Sequence, residues 1–423
     1  MNQGGTTLKV IIYWFRNDLR LLDNPALTQA CKEADFLLPI YVHDSATEAE
    51  TAWHFSRVAN HRKIFLRESL NDLKVNLQKL GSDLFEFQGD VVSVFLELKK
   101  IIAFNKIICE QIVAPEESDQ VTRLTDAGYE IQALWQSSMI APDDLPFTSN
   151  QTPDIFTQFR QNIEKHKIKY TSPIAKPVSL PGLPATSSSL KQALVSSGSS
   201  NTVFQGGETS ALAHIEQYFQ RRLPDTYKQT RNQLIGLDYS SKFSPWLAWG
   251  CCSARTIANK LESYEAKHGA NDGTYWLWFE LLWRDYFRFI HFKYGKKLYR
   301  PKGLSEKPLT RFKADVFKSW SEGETGETLI DAAMRELKSS GYLSNRLRQV
   351  VASYLIYDLE GDWQSGAAWF ESQLIDYDVY SNQGNWLYIA GRGTDPRGGR
   401  AFNVKKQTQD HDPQGIYRDL WLQ

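Results

Sequence analysis

Residues 376–400 hold the side chains best suited to chemistry. This stretch, DYDVYSNQGNWLYIAGRGTDPRGGR, combines carboxylates, amides, aromatic rings and arginines. On a helix, Asp378, Asn382 and Trp386 recur every four residues, so a carboxylate, an amide and an indole share one face. Such a wall suits a flat ligand that forms hydrogen bonds.

The second half of the same stretch is basic. It carries Arg392, Arg397 and Arg400, and Lys405 and Lys406 follow shortly after, on a chain interrupted by glycines and a proline. Glycine lacks a Cβ, so its backbone can approach a ligand closely. Basic side chains on such a loop contact phosphates without reading a base sequence. We therefore predict a phosphate-binding loop.

A second polar group lies in TYWLWFELLWRDYFRFIHFKYG, where Glu280, Trp283, Arg284 and Phe287 share one helical face. Buried charges need partners. The glutamate and the arginine beside an indole form either an internal ion pair over the core or the polar floor of a pocket for a planar substrate. Both interpretations stay open.

In the segment SSKFSPWL, Ser244 is a candidate helix N-cap and Pro245 a candidate first helical residue. Ser240, Ser241 and Lys242 would then precede a helix N-terminus, where hydroxyls, amides and an ammonium can hold a pyrophosphate. The alternative is a capped turn with a solvated lysine.

The segment SNRLRQ crowds polar side chains at the start of one helix. An arginine there can pair with a carboxylate of the 376–400 stretch, and we predict that Arg348 pairs with Asp376. The alternative is a solvated basic turn.

The elements that position these groups follow from the periodicity. Residues 8–135 alternate short apolar runs with longer amphipathic segments, which predicts an α/β domain with a parallel, doubly wound sheet of five strands. WFRNDLRLLDN follows the first strand in place of Gly-x-Gly-x-x-Gly, so no dinucleotide is expected in the usual position. We predict an α/β domain at 1–137, a linker at 138–205 and an all-α domain at 206–423. Within the linker, FTQFRQNIEKH is a candidate for a short amphipathic helix.

Composition narrows the class of protein. The 423 residues include 49 basic and 49 acidic side chains, so any basic surface is local. The four cysteines show no metal or disulfide spacing, and the first residues lack a signal peptide. We therefore expect no bound metal, a cytoplasmic location, no membrane association and a monomer.

Several long motifs, taken in their order along the chain, resemble those of a known family. WFRNDLRLLDNPAL, TRNQLIGLDYSSKFSPWLAWGCCSAR, FELLWRDYFRF, SNRLRQVVASYLIYDL and DWQSGAAWFESQLIDYDVYSNQGNW resemble the photolyase and cryptochrome flavoproteins, most closely the cryptochrome DASH branch. The resemblance covers nearly the whole chain. It implies an amino-terminal α/β domain, a wrapping linker and a helical domain that binds FAD.

The resemblance also implies roles for single residues. It places Arg348 and Asp376 beside the isoalloxazine, Asp378 at its polar edge and Asn382 opposite its N5 atom. The remaining FAD contacts that we assign are Tyr227, Ser240, Ser241, Lys242, Phe243, Ser244, Glu280 and Arg284.

On the substrate side, the resemblance implies a cavity for a flipped pyrimidine dimer, lined by Glu280, Trp283, Asn345, Arg346, Gln349 and Tyr388. Tyr388 and Gln349 stand where duplex-repairing photolyases have Trp and Met, which is typical of the DASH branch and of single-stranded DNA as substrate. Arg392, Arg397, Arg400 and Lys405 would contact phosphates. The eight histidines lie outside the cavity motifs, which argues against repair of (6-4) photoproducts.

Trp386 and Trp363 match the first two members of the family's electron relay. The third is missing: Phe312 lies near its expected place, and Trp320 or a surface tyrosine is a candidate substitute. Glu116 and Glu117 match the site of an antenna, methenyltetrahydrofolate in many relatives.

The leading hypothesis is light-driven repair of cyclobutane pyrimidine dimers. A blue-light receptor without useful repair activity is the alternative. A nucleotide-dependent transferase is a third reading, against which stands the lack of a Walker sequence.

Overall fold

The computed structural model describes residues 8–190 and 203–423. In the described part, five parallel strands form one sheet in the order β3-β2-β1-β4-β5. The strands are β1 Val10–Phe15, β2 Phe36–Asp44, β3 Phe85–Gly89, β4 Lys106–Glu110 and β5 Ile131–Leu134. This order confirms the predicted parallel α/β sheet. From β1 the chain first adds strands on one side and then, with β4, on the other. Folds of this type bind ligands at the carboxyl ends of the two strands where the order reverses, here β1 and β4.

Both faces of the sheet are buried, because successive side chains of a strand point to opposite faces and here both sets are mostly apolar. In β1, Tyr13 and Phe15 enter one core, while Ile12 and Trp14 enter the other. Helices α1 Pro25–Glu33 and α2 Asn60–Gln78 cover the first face. Helices α3 Val91–Ile101 and α4 Pro115–Asp126 cover the second. The first core continues without a break into the helical half of the chain.

The connecting segment, residues 138–190, runs from the sheet to the helical half. Its helix α5, Phe156–Lys165, was predicted from the amphipathic sequence FTQFRQNIEKH. Near the start of the connecting segment, the backbone amides of Met139 and Ile140 donate to the buried carboxylate of Asp285 at 2.8 and 2.9 Å. The low-complexity end of the predicted linker, residues 191–202, lies outside the described residues. The domain boundaries at 137 and 205 therefore stay predictions.

Residues 203–423 are mostly helical, as the sequence predicts. The helices are α6 Glu208–Gln220, α7 Tyr227–Thr230, α8 Ser244–Ala248, α9 Ala254–His268, α10 Asp272–Tyr294, α11 Ala314–Glu322, α12 Thr328–Ser340, α13 Asn345–Ser353, α14 Trp363–Gln373, α15 Val379–Ala390, α16 Val404–His411 and α17 Ile416–Leu422. Among the described helices, none is long and apolar enough to span a membrane.

Helix α10 is the central element of this half because it packs against α5, α7, α9 and α15. Its N-terminus is fixed by a capping box, in which the Asn271 side chain accepts from the Thr274 amide and the Thr274 hydroxyl accepts from the Asn271 amide. Along α10 lie Glu280, Trp283 and Arg284, so the helix that anchors the core also presents predicted site residues.

Candidate active site

Arg348 and Asp376 form the predicted ion pair. Arg348 donates from Nη2 to Oδ2 of Asp376 at 2.8 Å and from Nε to the Leu343 carbonyl at 2.7 Å. Asp376 is only 5% exposed, and its Oδ1 atom is buried without a hydrogen-bond partner. A buried acceptor of this kind is costly unless a donor reaches it. The pair is therefore confirmed, and its free oxygen marks a place for a ligand donor.

Asp378 is held by a second arginine that the sequence analysis did not select. Its carboxylate caps α15 by accepting from the Ser381 amide at 2.8 Å, and it accepts from Nη2 of Arg288 at 2.5 Å. Burial opposes ionisation, but Arg288 and Arg284 outweigh burial and lower the Asp378 pKa to about 2. Arg288 lies one helical turn after Arg284, and this spacing was the available signal.

A cavity of about 70 Å³ brings members of both predicted sets together. From the expected lesion set it is lined by Asn345 and Gln349. From the expected cofactor set it is lined by Arg348, Asp376, Asp378 and Asn382, with Trp386 beside them. The Asn382 side-chain amide donates to the Ala367 carbonyl at 3.1 Å, which fixes the direction of its oxygen.

A second cavity of about 1160 Å³ lies between the carboxyl end of the sheet and helices α14 and α15. Glu116, Glu117 and Trp363 line it, and Asn382 lines both cavities. Arg57 crosses the cleft, donating to Glu116 at 2.6 Å and to Glu371 at 2.7 Å. The cleft therefore connects the two predicted antenna carboxylates with the predicted flavin side.

Lys242 is the unusual member of the predicted pyrophosphate segment. It has a positive φ of 56° and is 6% exposed, and its ammonium lies 3.5 Å from the Tyr239 ring centroid and 4.6 Å from that of Tyr342. Burial lowers its pKa to about 7. The solvated-lysine reading is therefore wrong, and a buried cation without enough countercharge fits an anionic ligand.

The neighbours of Lys242 are placed as follows. The Ser241 carbonyl accepts from Nε2 of His214 at 2.8 Å, and the Phe243 ring is buried. Ser244 was predicted as an N-cap; it is instead the first residue of α8, and Phe243 precedes it with no side-chain cap. The prediction failed because Phe243 already has helical backbone angles.

Glu280 does not pair with Arg284, so the internal ion pair considered from the sequence is wrong. Its partner is Arg231, which follows α7 and also lies 4.4 Å from the Trp276 ring centroid. Arg284 donates instead to the carbonyls of Ser137 and Leu247. The i, i+4 spacing concealed this arrangement, because the true partner lies far upstream in the chain.

Trp283 and Tyr388 meet at one wall, with ring centroids 5.7 Å apart and an interplanar angle of 83°. Arg346 donates to the Asn232 side chain at 3.1 Å and lies near Gln349. The structure therefore brings the two rings together between the middle of α10 and the last turn of α15. Tyr227 is buried in α7, which packs against the same helix.

The basic loop divides into buried and exposed arginines. Arg392 is 5% exposed and donates to the carbonyls of Lys307 and Pro308, so its predicted phosphate contact is wrong. Arg400 lies over the Tyr388 ring at 4.5 Å and pairs with Asp395 at 3.4 Å. Arg397 and Lys405 are exposed, as a phosphate contact requires.

The relay residues are buried. Trp386 meets the Trp320 ring at 6.3 Å in an edge-to-face contact, and Trp363 donates from Nε1 to the Pro301 carbonyl at 3.0 Å. Gly366 permits this packing, because a Cβ there would lie 2.3 Å from the Trp386 ring. Phe312 packs on Phe317 at the edge of the same cluster.

Comparison with known proteins agrees with this geometry. Residues 11–179 match the family model described as DNA photolyase, and residues 276–423 match the FAD binding domain of DNA photolyase. The chain belongs to the photolyase and cryptochrome family.

Within the family, similar curated proteins are named cryptochrome DASH. Cryptochrome DASH of Synechocystis sp. is 44% identical over 97% of this chain and 87% of its own length. The chloroplastic or mitochondrial cryptochrome DASH of Arabidopsis thaliana is 40% identical over 98% of this chain and 75% of its own length. A crystal structure of the Synechocystis cryptochrome superposes with a TM-score of 0.93 at 41% identity, covering 99% of this chain and 89% of that one.

The helical half thus carries an FAD-binding domain, and its residues fit the cofactor. The orphaned Asp376 oxygen is free to accept a hydrogen bond from a ligand, and the buried Lys242 ammonium is able to donate to an anion. Both features are unfavourable in an empty fold and favourable around a ligand with an N–H group and a pyrophosphate.

Proposed function

We propose that this protein repairs cyclobutane pyrimidine dimers in DNA under light, with single-stranded DNA as its preferred substrate. The carrying observation is the shared cavity, in which Asn345 and Gln349 lie beside Arg348, Asp376 and Asn382. Residues expected to hold the lesion and residues expected to hold the cofactor therefore line one space. Electron transfer is steep in distance, so this arrangement favours a one-electron reaction between the two ligands.

FAD in its reduced form would absorb light and supply one electron, which the opened pyrimidines return at the end. The chain's own groups set the conditions. The Arg348 guanidinium would lie beside the bound flavin and would favour its anionic reduced form. The Asn382 amide is held at the Ala367 carbonyl, so it offers a neutral dipole. Lys242 would neutralise the pyrophosphate, with Ser240, Ser241 and Ser244 nearby.

The lesion side is assigned to α10, α13 and α15. Trp283 would stack on the flipped bases, which offsets the few kcal/mol of unstacking by about 1 to 3 kcal/mol per base. Burial raises the Glu280 pKa, although Arg231 opposes the shift.

The single-strand preference is assigned to two positions. Tyr388 presents a smaller ring than an indole, and its hydroxyl is held by Arg400 at 2.9 Å. Gln349 adds a polar group where an apolar side chain would pack on the lesion. Both side chains weaken the binding of a flipped dimer. Flipping the dimer out of a duplex costs more free energy than flipping it out of a single strand, so the weaker binding reduces repair of duplex DNA more.

The test is direct. Reduced protein is illuminated with a single-stranded oligonucleotide that contains one dimer, and the dimer is quantified by chromatography. We expect dimer loss under blue light and none in the dark. Retention of the dimer under light, with FAD bound and reduced, would refute the proposal. The same oligonucleotide in duplex form tests the strand preference.

A methenyltetrahydrofolate antenna is proposed for the large cleft. Glu117 faces this cleft, where burial raises its pKa, and Glu116 is tied to Arg57. A raised carboxyl pKa suits hydrogen bonding to a pterin edge. The absorption spectrum of the purified protein tests this, since a folate band beside the flavin bands supports it and flavin bands alone contradict it.

A blue-light receptor is the second candidate, because the similar proteins are named cryptochromes. Pull-downs from light-treated and dark-treated cells distinguish the two. A partner that binds only in light, together with no dimer loss, would favour the receptor.

A further inference from the structure

Phe156 stacks on Trp283. It is the first residue of α5 in the connecting segment and is 4% exposed. The two ring centroids are 3.7 Å apart and the planes differ by 12°. Tyr286 and Tyr388 meet the same indole nearly edge-on, at 86° and 83°. The parallel contact with Phe156 therefore sets the plane of the Trp283 ring.

The backbone before this ring is anchored on α10. The Tyr286 hydroxyl donates to the Asp154 carbonyl, and the Tyr294 hydroxyl donates to the Asp154 carboxylate at 2.8 Å. Lys293 donates to that carboxylate at 2.7 Å and to the Thr152 carbonyl at 2.8 Å. The segment is thus fixed to the helix that carries Trp283.

An indole offers two faces to a stacking base. At a centroid separation of 3.7 Å, Phe156 fills one face, and no base can enter between the rings. Phe287 meets the indole at 5.5 Å and 38°, and Tyr388 meets it edge-on, so neither stacks in parallel on it. A base that stacks on Trp283 must therefore use the face that Phe156 does not cover.

We infer that Phe156 is a positioning residue, which holds the Trp283 ring in the plane that receives a base and restricts stacking to one face. This inference rests on the proposed DNA-repair function. It assigns part of the lesion cavity to the connecting segment rather than to the helical domain.

The test replaces Phe156 by leucine, which removes the flat ring and keeps most of the volume. The matched control is Phe159→Leu. Phe159 is also buried in α5 and meets Tyr286 at 5.5 Å, but its ring contacts are with residues other than Trp283. Both variants should lose similar thermal stability and bind equal FAD.

The readout is binding and repair of a single-stranded oligothymidylate with one dimer. We expect Phe156→Leu to raise Kd and KM about tenfold with kcat unchanged, since a base stack is worth roughly five- to 150-fold. Phe159→Leu should stay within about twofold. In a Trp283→Leu background, Phe156→Leu should have no further effect, because the ring that it positions is gone.

Equal effects of the two leucine variants would overturn the inference, and so would full additivity with Trp283→Leu. Crystal structures of both variants give a readout that is independent of DNA. The inference requires the Trp283 ring to turn or become disordered in Phe156→Leu and to stay in place in Phe159→Leu. If wild-type protein neither binds nor repairs the oligonucleotide, the proposed function fails, and the crystal structures still decide the role of Phe156.

Discussion

The Lys242 ammonium is the group whose chemistry FAD should change most. It lies against two tyrosine rings and is 6% exposed, and burial lowers its pKa from 10.5 to about 7. At 1.36 kcal/mol per pKa unit, that shift corresponds to about 5 kcal/mol of cost for the charged form in the apoprotein. A bound pyrophosphate would recover much of this cost.

The two states respond to pH with opposite signs. In the apoprotein above pH 7, folded Lys242 is neutral while the unfolded chain keeps the proton up to pH 10.5, so the unfolded state binds more protons and stability rises with pH. FAD binding requires the charged form, so above pH 7 it takes up a proton. The FAD Kd should therefore weaken by up to about tenfold per pH unit between pH 7 and 9.

The assay is titration of flavin-free protein with FAD at pH 7, 8 and 9, together with thermal unfolding of the apoprotein over the same range. Lys242→Met should stabilise the apoprotein at pH 7 by several kcal/mol and weaken FAD binding. It should also remove the rise of apoprotein stability with pH and the contribution of Lys242 to the pH dependence of the FAD Kd. Glu336 is needed as a control, because it is nearby and burial raises its pKa to about 7. The pH dependence should survive in Glu336→Gln. A wild-type Kd that is flat from pH 7 to 9 would refute the reasoning.

Three further predictions concern the remaining site groups. Asp376→Ala should lower the free energy of unfolding by about 3 to 5 kcal/mol, because it leaves the Arg348 guanidinium unpaired in a buried site; denaturant titration checks this, and a loss under 1 kcal/mol would contradict it. Replacing Arg397 and Lys405 together by glutamine should reduce the slope of log K against log salt for single-stranded DNA by about 1.4, while an unchanged slope would exclude both as phosphate contacts. Trp320→Phe should slow light-driven reduction of bound FAD if its contact with the relay carries electrons, and an unchanged rate by absorption spectroscopy would remove it from the path.

The parts of the fold that the sequence predicted are those set by local periodicity. The strands and α5 have alternating or amphipathic patterns that do not depend on distant residues. The Arg348 and Asp376 pair was predictable too, because a buried charge needs a partner of opposite sign and the resemblance placed both residues beside the flavin. This prediction did not depend on how the chain runs between the two residues.

The errors share a different cause. The residue type of Arg392 reveals a positive charge but not whether the guanidinium faces water, and here backbone carbonyls bind it. Glu280 pairs with Arg231, 49 residues upstream, and no spacing rule connects α10 with the loop after α7. Phe156 was missed because a buried phenylalanine in a linker looks like ordinary packing until the ring that it covers is known.

The contacts between the connecting segment and α10 bear on modular engineering. A fragment that begins at residue 206 keeps α10 but loses the two backbone donors of Asp285, a buried carboxylate whose pKa burial already raises to about 6. It also loses the Asp154 anchor for Tyr286, Lys293 and Tyr294. A design that joins the helical domain to another protein must therefore include residues 138–165, because this segment supplies the hydrogen-bond partners of these α10 side chains.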